Sequence, residues 1–272
     1  MKNQITKPIK RGKLRQLLGK EFYIYKRKKD WFLGNKKWAK IKSNDFEGFP
    51  IFKHQSMILR PLKDVDMYLQ ENKRTNLKLA ISHLNKIVIH PKETFSIWKL
   101  VGRPSKWKGY LNGLVLKQGK IDVGVGGGLC QLGNLLFWIF AHSPLTITER
   151  YRHGFDVFPD VNRKVPFGAG ATLAYNYIDL QVTNNTEKAF QINLWLDKTH
   201  LNGELFCSEK LEASYALVER NHLMKRQLWG GYSRHNQIIK IVTNKEKVTE
   251  ELLVENHAIM MYDPFIEPAK DK

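Results

Sequence analysis

"VGVGGGLCQLGNLLFWIFAHSPLTITERYRH", residues 123–153, sets one cysteine after three glycines, at the head of an apolar run that leads into a charged segment ending in a histidine. Leu129 to Ala141 is apolar on every side of a helical turn, the pattern of a helix buried all round in the middle of a domain. Pro144 ends it. The next stretch alternates, so a strand is expected with Leu145, Ile147, Glu149, Tyr151 and His153 on one face and Thr146, Thr148, Arg150 and Arg152 on the other. Glu149 and His153 thereby fall on the apolar face, where a carboxylate must find a partner.

Successive glycines permit positive φ and let a ligand or another chain lie against the peptide groups. A thiol in the first turn of a helix feels unpaired amides and the positive dipole end, a placement that lowers its pKa from about 8.5 toward roughly 3.5 to 7.5. Phosphate-loop alternatives fail on residue type. Gly128 is followed by Leu129 and Cys130 where a Walker loop needs Lys and Ser/Thr, and the third glycine of a dinucleotide fingerprint is replaced by Leu129. The order Cys130, His153, Asp179 fits the logic of thiol enzymes, with Gln131 and the Gly126, Gly127 and Gly128 amides as oxyanion donors. The alternative is a close-packed structural thiol.

Outward from this segment, "KLRQLLGKEFYIYKRKK" reads as an amphipathic helix, with Leu14, Leu17, Leu18 and Phe22 at helical spacing. Gly48 and Pro50 mark a loop. A helix from about Asn76 passes into a strand at Ile87 to Ile89, stopped by Pro91. "LVLKQGKIDVG" is a hairpin turning at Gln118 and Gly119. "ATLAYNYIDLQVTNNTEKAFQINLWLD" reads as a second hairpin, turning at Asn184 and Asn185. Further strands follow in "QIIKIVTN" and "ELLVENHAIMMYDP". The expected fold class is α+β, an antiparallel sheet packed on the central apolar helix, with a basic N-terminal helical arm over 1–45 and one domain over 46–272.

The 272 residues are 42% hydrophobic, a globular composition that excludes a disordered chain. Lys and Arg number 45 against 26 Asp and Glu, and residues 1–42 alone hold 12 Lys and 3 Arg against Glu21 and Asp30, +13 of the total +19. Such an arm attracts polyanions without regard to sequence, and its interleaved aromatics suit an anionic membrane surface. Nucleic acid is the least favoured partner, since no recognition motif accompanies the charge. No signal-peptide pattern opens the chain, so a cytoplasmic protein is expected, peripheral to the inner face of the membrane. Cys130 and Cys207 make no disulfide scaffold, the nine histidines lack ligand spacing, and neither metal nor cofactor is expected.

At "ETFSIW", "GYLNG", "GGGLCQLGNLLFW", "HSPLTITERYRH" and "FGAGATLAYNYIDLQVTNNT" the chain resembles the VanW family, most strongly over residues 75–200. The resemblance implies an accessory role in glycopeptide resistance near peptidoglycan and cell-wall metabolism, with no established chemistry. Its motif positions fall on Gly126, Gly127, Gly128, Cys130, Gln131, Glu149, Arg150, His153, Ala171, Thr172 and Asp179. The sequence departs from the family at Gly133, where serine is common, and at Gly170, where aspartate is. Two readings of the site stay open. One is a cysteine enzyme on amide or ester bonds of wall precursors, with Cys130 as nucleophile, His153 as base and Asp179 or Glu149 orienting the imidazole. The other is a binding module for a peptidoglycan peptide or anionic ligand, using Arg150, Arg152, Arg103 and Lys106.

Overall fold

The computed structural model describes residues 12–59, 66–117, 119–157, 165–175, 178–245 and 247–264. It opens with α1 (Lys13–Leu33), then β1 (Lys37–Trp38), β2 (Phe49–Met57), α2 (Met67–Leu84), β3 (Ile87–Ile89), β4 (Glu93–Ser96) and α3 (Ile97–Val101). A hairpin of β5 (Asn112–Lys117) and β6 (Lys120–Val125) leads into α4 (Cys130–Ala141). After it come β7 (Thr146–Glu149), β8 (Phe155–Asp156), β9 (Gln181–Thr183), β10 (Phe190–Leu196), β11 (His200–Cys207), β12 (Ala213–Arg226), β13 (Tyr232–Asn244) and β14 (Lys247–Met260).

The fold is mixed α+β, with its strands divided among several sheets instead of gathered in one. Among the described residues the orders are β1-β4-β9-β7, β2-β11-β10-β3 and β12-β13-β14-β8, beside the β5-β6 ribbon. Two of the pairings, β1 with β4 and β14 with β8, are parallel. The apolar segment Leu129 to Ala141 forms α4 as its composition requires, and Leu132, Leu136, Phe137, Ile139 and Phe140 are fully buried. It lies against β2 and β11, with His142 just past its end stacked on Phe52 at 3.8 Å.

The expected hairpin at Asn184 and Asn185 is not one: β9 and β10 enter different sheets. Asn184 is wholly buried, where its amide nitrogen donates to the Ile89 and Lys188 carbonyls. Its backbone exchanges hydrogen bonds with Lys92 and Glu93, across the point where β3 and β4 likewise part into the two sheets. A sequence that looks like a hairpin turn is therefore a crossover between two sheets, anchored by buried Asn184 while Asn185 stays exposed. The β5–β6 hairpin forms where expected, although Gln118 lies outside the described residues. The strand expected to run through His153 stops at Glu149, and a register irregularity between Ile147 and Glu149 sets these two opposite the adjacent residues Val182 and Gln181, so alternation places neither Glu149 nor His153.

Candidate functional site

Cys130 is the first residue of α4, following Leu129. Its sulfur is 3.9 Å from Nε2 of His153, receives the Leu173 N–H at 3.4 Å and lies 3.6 Å from the Leu173 carbonyl oxygen. Three sequence-distant segments thus converge on one atom. The loop carrying Leu173 is fixed from both sides: Asn134 of α4 accepts the Ala171 N–H, and the Tyr151 carbonyl accepts the Thr172 N–H. The Thr172 hydroxyl next to it is buried without a hydrogen-bond partner among the described residues.

The electrostatics run against the expected thiolate. Burial pushes the Cys130 thiol up, and the amide of Leu173 offsets this only in part. Burial also lowers the His153 imidazole, and the charge of Arg152 lowers it further. Both shifts favour the uncharged pair, thiol and neutral imidazole, so the helix-end effect does not decide the protonation state.

The glycine amides expected to hold an oxyanion are already used. Gly126 N–H donates to Leu111, Gly127 to Gly124 and Gly128 to Leu114. The reason for glycine lies in packing. A Cβ on Gly127 would stand 2.1 Å from the Gly113 carbonyl carbon, while Gly128, at φ +91°, lies under the Lys73 side chain. Gln131 is likewise committed, its amide donating to Ser56 Oγ at 2.9 Å and to the Met57 carbonyl at 2.8 Å, which ties α4 to β2.

Asp179 and Glu149 are not beside His153; they form a second cluster with Arg27 and Ser96. Asp179 accepts from Ser96 Oγ at 2.6 Å and from the Trp98 N–H at the head of α3, and burial raises its carboxyl to about 7. Glu149 accepts both terminal nitrogens of Arg27 at 2.6 Å and also the Asp179 N–H. Neither carboxylate orients the imidazole, because each is held by partners from other elements. Arg27, Ser96 and Leu173 were invisible as site residues, for nothing in a lysine-rich helix marks one arginine as a core partner.

Arg150 donates to the carbonyls of Gly168 and Gly170 and to Asn256 Oδ1. Arg152 lies over the Phe167 ring at 3.8 Å, and Arg103 pairs with Glu21. A binding module built on these three cations would have to break internal contacts first.

Residues 72–206, which span the thiol site and the acidic cluster, match the model of the family described as "VanW like protein". Over these residues the chain is VanW-like. It is 41% identical over 167 residues to Vancomycin B-type resistance protein VanW of Enterococcus faecalis, covering 61% of each chain. It is also 32% identical over 112 residues to Uncharacterized protein YoaR of Bacillus subtilis, 40% of this chain and 34% of that one. The chain therefore matches less than two thirds of either relative's length. No solved structure gives a significant match.

Gly133 and Gly170, the positions where the resemblance implies serine and aspartate, meet in one contact. A Cβ on Gly133 would lie 2.7 Å from the Ala171 oxygen, and one on Gly170 would lie 2.3 Å from Asn134 Oδ1. Both glycines thus let α4 approach the 168–173 loop closely, which brings Leu173 onto Cys130.

Proposed function

We propose that this VanW-like chain serves resistance to glycopeptide antibiotics, with Cys130 and His153 as its working centre, a thiol–imidazole pair acting on an amide or ester bond of a cell-wall precursor. The resistance role rests on the name of the Enterococcus relative. The single observation that supports the chemistry is the 3.9 Å approach of sulfur to imidazole. A neutral pair is competent when the proton moves during the reaction. His153 takes the thiol proton, sulfur bonds to the carbonyl carbon, and the C–N or C–O bond breaks as the imidazolium returns the proton to the leaving group. Water or a second acceptor then releases the acyl group from sulfur.

Two experiments test this. A synthetic stem peptide and its ester analogue are incubated with the protein, and mass spectrometry looks for an acyl adduct on Cys130 that is absent in Cys130→Ala and strongly reduced in His153→Ala. In parallel, cells relying on the gene are exposed to vancomycin. Undiminished resistance from Cys130→Ala at equal protein level overturns the proposal.

A further inference from the structure

The helix α1 docks on the body by one narrow side. With about 3.6 residues per turn, Ile24, Arg27 and Trp31 share a face. Ile24 is buried, Arg27 holds Glu149, and the Trp31 carbonyl accepts Lys99. The opposite face is left outward and is apolar: Leu14 is 71% exposed, Leu18 59% and Phe22 62%. Arg15, Lys26 and Lys29, all exposed, lie on or beside that outward face. Of the two acids in the helix, Glu21 is neutralised by Arg103.

An outward apolar stripe interleaved with cations on a helix this long is the pattern of a segment that lies in a membrane interface, rings and leucines in the acyl boundary and lysines among phosphates. Nucleic acid would match the cations but leave the leucines in water, whereas an anionic lipid surface matches both. An acidic, apolar groove of a partner protein would give no dependence on anionic lipid in the vesicle test. The loop held to α1 by Arg103 adds Trp107, fully exposed between Lys106 and Lys108. No helix of the described residues is long and apolar enough to cross a membrane. We propose that the outward face of α1 binds the surface of a bilayer containing anionic phospholipid, with the helix lying in the interfacial plane.

The test is sedimentation of the full chain with vesicles of phosphatidylcholine alone or mixed with phosphatidylglycerol. Binding is expected with the mixed vesicles only, weakened by salt. The combined change Leu14→Ser, Leu18→Ser and Phe22→Ser, at exposed positions that leave the circular dichroism spectrum unchanged, lowers partitioning roughly tenfold. Arg15→Glu with Lys29→Glu lowers it to a similar degree. The proposal is overturned if pelleting does not depend on phosphatidylglycerol, if the serine variant binds as well as the parent, or if duplex DNA binds the chain and mixed vesicles fail to compete.

Discussion

Arg27 of α1 meets Glu149 at the end of β7 with both terminal nitrogens at 2.6 Å, so the basic helix is joined to the VanW motif by a two-pronged ion pair. Both side chains are mostly shielded, 14% and 16% exposed. Removing one partner leaves a shielded charge unpaired, so Arg27→Ala is expected to lower stability by about 3 kcal/mol. Replacing both, as Arg27→Met with Glu149→Gln, restores most of the loss because glutamine still accepts the Asp179 N–H. Urea unfolding of the three proteins reads this directly.

Asp179 gives stability a definite pH dependence. Burial raises its folded-state carboxyl to about 7, against about 3.9 in an unfolded chain. Between these values the native state keeps a proton that the unfolded state has released. Stability therefore falls as pH rises through this window, by up to roughly 1.4 kcal/mol per pH unit, and levels off above it. Asp179→Asn removes the contribution. Denaturation at about pH 5 and about pH 8 should show the variant gaining on the parent as pH rises, and a difference independent of pH would refute the assignment.

What the sequence shows and hides follows from how far apart the interacting residues lie. α4 and the β5–β6 ribbon were legible because their signals are local: an apolar run, and alternating residues around one glycine turn. The split of β9 from β10 was not, because Asn184 and Asn185 carry the same turn chemistry whether the turn joins two strands of one sheet or crosses between sheets with Asn184 held against Ile89. In the site, the cysteine and histidine could be named but not their setting. The thiol was expected to be acidic from its helix position alone, whereas burial raises it in a setting that includes Leu173, 43 positions away. The Glu149 and Asp179 assignments failed for the same reason, their partners Arg27 and Ser96 being more than 80 positions distant.

The glycine turn before α4 offers a test of packing against ligand cradling. A methyl group on Gly127 would overlap the Gly113 backbone at 2.1 Å, where neither chain can yield without separating the ribbon from the turn. Gly127→Ala is expected to cost about 3 kcal/mol or more. Thermal unfolding of the unliganded protein suffices to see it. A near-neutral Gly127→Ala would refute the packing assignment.

Arg150 separates a structural cation from a ligand-binding one. Its guanidinium holds the Gly168 and Gly170 carbonyls and Asn256, lies over Phe137, and burial lowers it to about 9. These contacts fix the loop that carries Leu173 onto the Cys130 sulfur. Arg150→Lys keeps a charge but loses the planar fork, so it is expected to cost about 2 kcal/mol in the absence of any ligand. Loosening of the loop then uncovers the thiol. Alkylation of Cys130 by iodoacetamide at about pH 8 should accelerate several-fold over the parent, whose thiol is held protonated by burial. A ligand-contacting arginine would leave both the unfolding midpoint and the alkylation rate unchanged, so the two measurements together discriminate the roles.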